Sequence, residues 1–197
     1  MVELRSLIVV LGDQLDLDAS GFDGFDAAVD AVWMAEAAEE STHVWSSKPR
    51  TAMFLAAMRH FALALQGAGR PLHYTRMDAV ASAGSLTTQL RADTARLKPA
   101  GLVMTAPGDW RVLQAISALA DAHKLPLDIR EDRHFFSSVR DSAAHAQGRK
   151  ALRMEYFYRE QRKRHQVLMQ DDEPVGGQWN FDADNREAFG AAGPGAV

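Results

Sequence analysis

Short apolar segments alternate with amphipathic ones through about the first 130 residues of this 197-residue sequence, and this alternation limits the folds open to it. Three stretches repeat apolar side chains at three- and four-residue spacing, which predicts helices over residues 48–65, 85–97 and 109–123. Shorter apolar runs predict strands at residues 6–11, 28–35, 71–77, 101–105 and 126–129. Alternating strands and helices indicate βαβ units, so we expect a doubly wound α/β fold with a five-stranded, largely parallel sheet.

The first predicted helix has the clearest pattern of the three. Phe54, Met58, Phe61 and Leu65 recur at four- and three-residue spacing and form one apolar face, which we expect to turn toward the sheet. Ser85 precedes the second helix and is a candidate N-cap, because its hydroxyl can accept a hydrogen bond from a backbone N–H of the first turn.

The residues after the fifth strand differ in composition from the sheet-forming part. We assign residues 1–131 to an α/β domain, residues 132–186 to a helical and loop linker, and residues 187–197 to a low-complexity, disordered tail. Within the linker, the pattern predicts a short helix, a longer basic and aromatic helix, and a loop, over residues 137–147, 150–168 and 171–186 respectively.

Charge is unevenly distributed along the sequence. Residues 1–50 contain ten acidic and three basic side chains, whereas residues 130–164 contain ten basic and five acidic ones. A basic face can hold phosphates or nucleic acid. It can also be a solvated helix face, or it can pack on an acidic surface of the same protein, and the sequence leaves these alternatives open.

Several kinds of chemistry find no support in the sequence. It contains no cysteine, which excludes disulfides, thiolate metal sites, iron–sulfur ligation and a cysteine nucleophile within this chain. The glycine-rich dinucleotide fingerprint, the P-loop and the serine nucleophile elbow are absent. We therefore predict no catalytic residue and no metal site. No apolar run approaches the roughly 20 residues of a membrane helix, so we expect a cytoplasmic location.

Polar residues follow three of the predicted strands. Residues 12–14 follow the first strand, and residues 106–110 follow the fourth. Three acids follow the second strand: Glu36, Glu39 and Glu40. In an open α/β sheet, ligands bind beyond the carboxyl ends of the strands, near the point where the strand order reverses. Carboxylates there suit a ligand rich in N–H and O–H donors, and an acidic rim disfavours one rich in phosphate. The alternative is that these residues only form turns and solvated surface.

The same residues carry a resemblance to a known family. Leu11–Leu15 resembles the start of the photolyase-related proteins, the prokaryotic iron–sulfur branch of the photolyase/cryptochrome superfamily. The most specific further matches are Met154–Glu160 and Gly176–Arg186. Weaker matches occur in order between them: Ala57–Phe61, Leu72–Arg76, Ala83–Ser85, Pro107–Val112, Ile129–Phe135 and Gly148–Lys150. Their order and spacing, from about residue 6 to residue 186, make the sequence similar to this family.

The resemblance implies a two-part molecule. Its N-terminal part would be an α/β antenna domain, and its C-terminal part a large helical domain that holds FAD, the lesion pocket and the four cysteines of a [4Fe–4S] cluster. Complete members repair ultraviolet photoproducts in DNA by light-driven electron transfer, or act as light receptors. DNA would thus be a partner only of a complete photolyase, and FAD and the cluster are not expected in this chain.

In better-known members the antenna chromophore is a ribityl-lumazine bound in the α/β domain. Six positions of this sequence resemble or would complete that site: Gly12 through its backbone, Asp13, Ala35 and Glu40, with Phe54 and Met58 as an apolar wall. Some lumazine-binding members have a cysteine at the position of Ala35, and relatives are expected to have a glutamate at the position of Ala106.

Three hypotheses for the function follow. In the first, the chain is the antenna-chromophore domain of a photolyase-like lyase and is not competent for repair alone. The sequence ends at residue 197, complete members are well over twice as long, and the match stops after Arg186, which suggests a truncated gene, a frameshift or a fragment. In the second, it is a non-catalytic interaction module in which residues 134–186 dock a separate helical domain, another protein or a second copy. In the third, it is a small α/β nucleotide-binding enzyme with Asp13 or Glu40 as an acid–base group.

Overall fold

The chain forms two compact units in a computed structural model, Met1–Phe135 and Phe136–Val197. The structure describes residues 4–80, 82–182, 190, 191 and 193. The tail predicted over residues 187–197 therefore lies outside the described residues, except at those last three positions. The end of the family-like stretch Gly176–Arg186 lies outside them as well.

The first unit is built on a five-stranded sheet. Its strands are β1 (Ser6–Val9), β2 (Asp30–Ala35), β3 (Leu72–Thr75), β4 (Gly101–Thr105) and β5 (Leu127–Arg130). All four pairings are parallel, and the strands lie in the order β3-β2-β1-β4-β5. This order confirms the predicted doubly wound α/β fold, because the chain builds outward from β1 in one direction and then returns to build in the other. The reversal lies between β1 and β4.

Four helices connect the strands: α1 (Ala38–Thr42), α2 (Lys48–Gly67), α3 (Leu86–Leu97) and α4 (Trp110–Ala122). The last three confirm the helices predicted from apolar spacing. Ser85 caps α3 as predicted, since its hydroxyl accepts the Thr88 N–H at 3.2 Å. The sequence does not predict α1 or the 3₁₀ turn at Ser20–Phe22, because elements this short show no apolar period. Among the described residues, no helix is long and apolar enough to cross a membrane.

Both faces of the sheet are buried. Leu7 and Val9 of β1 pack in one core cluster with side chains of α3 and α4, whereas Ile8 and Val10 pack in a second cluster with side chains of α2. Strands covered on both sides need apolar residues at successive positions, which explains why the sequence shows runs and not alternation. Burying each such side chain contributes roughly 1.5–3 kcal/mol before the cost of ordering the chain.

A charged group lies inside the cluster formed with α3. The Asp93 carboxylate of α3 accepts hydrogen bonds from Trp33 Nε1 at 3.0 Å and Gln89 Nε2 at 2.9 Å. Arg96 pairs with its other oxygen at 2.8 Å. Burial alone would raise the pKa of Asp93, but these three donors outweigh it and hold the pKa below its usual value. The network fixes β2 against α3, because the Trp33 indole N–H has its hydrogen-bond acceptor there.

In its described residues, the second unit contains two helices, α5 (Val139–Ala146) and α6 (Met154–His165), and a hairpin of β6 (Met169–Gln170) and β7 (Glu173–Pro174). The helix predicted over residues 150–168 is wrong at both ends. It ends early because Gln166 adopts a left-handed φ of 54°. The loop predicted over residues 171–186 is wrong where β7 pairs with β6, because two-residue strands leave no alternation in the sequence.

We expect Asp93→Ala to lower the free energy of unfolding by roughly 2–3 kcal/mol, because the buried Trp33 N–H and Gln89 amide would lose their acceptor. Urea unfolding followed by circular dichroism measures the change. Asp121→Ala is the matched control, since Asp121 lies exposed on α4. Equal stability of the two variants would contradict a stabilising role for the Asp93 network.

Candidate ligand site at the reversal of strand order

A cavity of about 340 Å³ lies beyond the carboxyl ends of β1, β2 and β4. Its lining includes Gly12 and Asp13 after β1, Ala35 at the end of β2, and Pro107 and Asp109 after β4. The first turns and the inward face of α2 also line the cavity. This is the place where open α/β sheets bind ligands, because the connections from β1 and β4 diverge to opposite faces and leave a crevice.

The structure brings all six sequence-predicted positions to this one cavity. The lining contains every member of the predicted set: Gly12, Asp13, Ala35, Glu40, Phe54 and Met58. On the apolar face of α2, Met58 is buried with Phe61 and Leu65, whereas Phe54 is 44% exposed because its ring lies at the cavity. The apolar period of α2 thus continues from the core into the cavity wall.

Gly12 allows the close packing at this wall. A Cβ atom on Gly12 would lie 2.5 Å from Phe54 Cε1 and 2.9 Å from the Met58 sulfur. Both distances are shorter than van der Waals contact, so a larger residue would push the aromatic ring away from the loop after β1. A side chain at position 12 would fit only if Phe54 and Met58 moved, and the sequence cannot reveal this close approach.

Glu36 also lines the cavity, but its carboxylate is already saturated with hydrogen bonds. Arg59 of α2 donates to both oxygens at 2.7 and 2.9 Å. The Tyr74 hydroxyl of β3 donates at 2.5 Å, and the Met77 amide donates at 3.0 Å. Burial alone would raise the pKa of Glu36, but these donors lower it from 4.5 to about 2. Glu36 therefore supports the cavity and has no oxygen free for a ligand.

The carboxylate of Glu40 is held by a second arginine. Arg111 of α4 donates to both Glu40 oxygens at 3.1–3.2 Å, and it also contacts Asp109 at 3.3 Å. Asp109 in turn caps α4 by accepting the Arg111 backbone N–H at 2.7 Å. The Glu40–Arg111 ion pair joins α1 to the start of α4. Glu40 and Asp109, two acids predicted to lie after the strands, are therefore both bound to Arg111.

Gln14 joins the loops that follow β1 and β4. Its amide nitrogen donates to the Ala106 carbonyl at 2.9 Å and more weakly to the Thr105 carbonyl at 3.4 Å. The backbone of Ala106 is thus part of the frame of the crevice. Relatives are expected to have a glutamate at this position. Alanine lacks that carboxylate but keeps the hydrogen bond from Gln14, because the acceptor is the backbone carbonyl.

Several of the stretches that prompted the family resemblance contribute to the lining and its frame, and comparison with known proteins agrees with the resemblance. The family model described as deoxyribodipyrimidine photo-lyase-related protein matches residues 8–195. The chain belongs to this family. The match runs beyond Arg186, so the prediction that the resemblance stops there is wrong.

A curated relative gives the scale of the match. A (6-4) photolyase of Agrobacterium fabrum is 41% identical to this chain over 184 residues. The aligned part is 93% of this chain but 36% of the relative, so this chain spans little more than a third of that protein's length.

The stretches that resemble the photolyase-related family hold the side chains that bind Glu36 and Glu40, a role that sequence reasoning missed. Arg59 lies in Ala57–Phe61, Tyr74 in Leu72–Arg76, and Arg111 in Pro107–Val112. These three residues could have been noticed as polar side chains inside the stretches. That they bind Glu36 and Glu40 could not have been predicted, because the two glutamates are distant from them in sequence. Within the described residues no cluster of three His, Cys, Asp or Glu side chains could hold a metal ion. The chain supplies no cysteine for an iron–sulfur cluster.

The Glu36 network makes stability depend on pH. The folded-state pKa of about 2 is below the ordinary 4.5, so the stabilisation is complete above pH 4.5 and is lost as the pH falls toward 2. We expect Glu36→Gln to lower the free energy of unfolding at pH 7 by on the order of 2–3 kcal/mol and to flatten its decline between pH 4.5 and 2. Denaturant unfolding at a series of pH values measures both effects.

Glu39→Gln is the matched control for this experiment. Glu39 is exposed on α1, three residues from Glu36, and its side chain has no described hydrogen bond. It should leave both the stability at pH 7 and the acid profile unchanged. An acid profile of Glu36→Gln identical to that of the unsubstituted chain would show that Glu36 does not carry the effect.

Proposed function

We propose that this chain is the antenna-chromophore domain of a photolyase-related protein and that it binds a ribityl-lumazine in the 340 Å³ cavity. The observation that carries the proposal is the composition of the wall. Phe54 and Met58, which pack against Gly12, make part of the wall apolar, and the Asp13 carboxylate makes another part polar. The volume lies at the lower end of the roughly 300–1,000 Å³ range of small-molecule pockets.

A ribityl-lumazine has the matching chemistry. Its flat heteroaromatic ring would pack on the Phe54 ring and the Met58 sulfur, which suit aromatic surfaces. Its ring N–H or polyol hydroxyls would donate to Asp13, whose carboxylate is exposed and has no hydrogen-bond partner among the described residues. The small side chain of Ala35 would leave room for the ring at the end of β2.

Glu40 would act differently from Asp13 in this site. Arg111 holds both of its oxygens, so Glu40 would offer the ligand only its remaining lone pairs, in a fixed direction. The ion pair with Arg111 would fix the position of the Glu40 carboxylate, whereas the Asp13 carboxylate would be free to accept hydrogen bonds from the ligand.

We further propose how the domain serves a larger protein. The bound chromophore would absorb light and pass its energy to a photolyase catalytic domain. FAD, the [4Fe–4S] cluster, contact with DNA and the repair reaction are assigned to the part of a photolyase-type protein that this chain does not match. By this proposal the chain alone does not repair DNA.

A second candidate function, docking of another domain, is favoured by the surface of the second unit. Met154 and Tyr158 lie one turn apart on α6 and are 76% and 52% exposed, and Val139 of α5 is 80% exposed. Side chains four residues apart share one face of a helix, so they form an apolar stripe. We propose that this stripe contacts the helical domain of a photolyase-type protein.

The chromophore proposal predicts that the full chain retains a lumazine. The purified chain, mixed with 6,7-dimethyl-8-ribityllumazine and desalted, should elute with the near-ultraviolet absorption of one chromophore per chain. Protein that elutes without the chromophore, at concentrations that keep it folded by circular dichroism, would overturn the proposal.

Substitution of Gly12 tests the location of the site. Gly12→Val should weaken lumazine binding by at least about tenfold, because the new side chain would force the Phe54 ring into the cavity. Gly67→Ala, at the end of α2, is the matched control, since its Cβ would meet no atom within 4 Å. Titration of lumazine fluorescence measures both, and equal affinities would place the ligand elsewhere.

The docking proposal predicts a complex between separate chains. The full chain should co-elute in size-exclusion chromatography with the separately produced part of the Agrobacterium photolyase that lies outside the aligned region. Met154→Glu combined with Tyr158→Glu should abolish co-elution, whereas Leu63→Glu, an exposed apolar position of α2, should not. Self-association of the chain without the added domain would instead identify a second copy as the partner.

A further inference from the structure

The charged side chains that line the cavity differ in how far they are already engaged. Glu36 accepts four hydrogen bonds, and Glu40 and Asp109 share Arg111. The acidic rim expected from the sequence is thus largely neutralised by arginines. Two lining residues remain with no partner among the described residues, and they have opposite charge: Asp13 and Arg50.

Arg50 is set apart from the other unpaired cations of the first unit by its place. It is the third residue of α2, between the lining residues Ser46 and Phe54. Other basic side chains of that unit also have no described partner, but none of them lines the cavity: Lys48, Arg91, Lys98 and Lys124. A guanidinium at the wall of a cavity that also has a free carboxylate gives the site recognition groups of opposite charge.

We propose that Arg50 recognises an anionic group of the bound ligand, and that the cavity prefers a chromophore whose polyol chain ends in a phosphate ester. This inference rests on the proposed chromophore site and names its ligand more closely. The donor-rich end of the ligand would contact Asp13, the ring would pack on Phe54, and the phosphate would contact Arg50.

The chemistry of the two groups supports this assignment. A guanidinium offers several N–H donors in a plane that match the oxygens of a phosphate, and the hydrogen bonds are strengthened by charge on both partners. Arg50 is exposed, so solvent and salt weaken the attraction, and the preference should be moderate. A neutral polyol can accept hydrogen bonds from the guanidinium but carries no opposite charge to strengthen them.

The test compares ribityl-lumazine with its 5′-phosphate as probes of the full chain. Ribityl-lumazine 5′-phosphate should bind about tenfold more tightly than ribityl-lumazine at low ionic strength. The difference in affinity should shrink in roughly 0.5 M NaCl. Arg50→Gln should remove the difference, because it should weaken the binding of the phosphate ester more than that of unphosphorylated lumazine. Arg91→Gln, an exposed arginine of α3 that does not line the cavity, is the matched control and should retain the preference.

The outcomes separate this inference from the proposal on which it rests. If lumazine and its phosphate bind equally well, or if Arg50→Gln retains the preference, the role of Arg50 is wrong and the chromophore site stands. If neither compound binds the folded chain, both are wrong. If Arg50→Gln weakens both compounds alike, Arg50 shapes the cavity and does not recognise an anion.

Discussion

The buried carboxylate of Glu36 is the interaction on which the candidate site depends. It stands directly after β2 and receives hydrogen bonds from α2, from β3 and from the loop after β3. A buried charge is tolerated only when its oxygens are satisfied, so the position of Arg59 and Tyr74 is fixed by the position of Glu36. Ala35, next to Glu36, and Phe54, on the same helix as Arg59, both line the cavity.

This arrangement explains how a crevice with many acids can accept a ligand. Arg59 and Arg111 neutralise carboxylates that would otherwise repel one another, and each also joins two elements at the sheet edge. The packing of Phe54 and Met58 against Gly12 then supplies an apolar wall. Of the charged side chains that line the cavity, the described contacts leave one carboxylate and one guanidinium unengaged, beside the exposed ring of Phe54.

The second unit is held together in another way. α5 and α6 are joined by a hydrogen bond between His145 Nδ1 and Glu160 at 2.6 Å and by the ion pair of Arg164 with Asp141 at 2.7 Å. Three cations of α6 lie over the Trp179 ring at 5.2–5.7 Å. Much of the excess of basic residues in this part of the sequence is thus engaged within the unit, while several of its large apolar side chains are exposed. Such a surface is typical of a segment that packs on another domain.

The sequence by itself determined the fold class, the three main helices, the Ser85 cap and six positions of the cavity lining. Each of these features depends on residues that are close in sequence: the period of the apolar side chains, the residue before a helix, or the residues directly after a strand. It did not determine which acids are free. Glu36 and Arg59 are 23 residues apart, and Glu40 and Arg111 are 71 apart. Only the tertiary structure brings them together, because parallel strands gather their carboxyl ends at one edge whatever the length of chain between them.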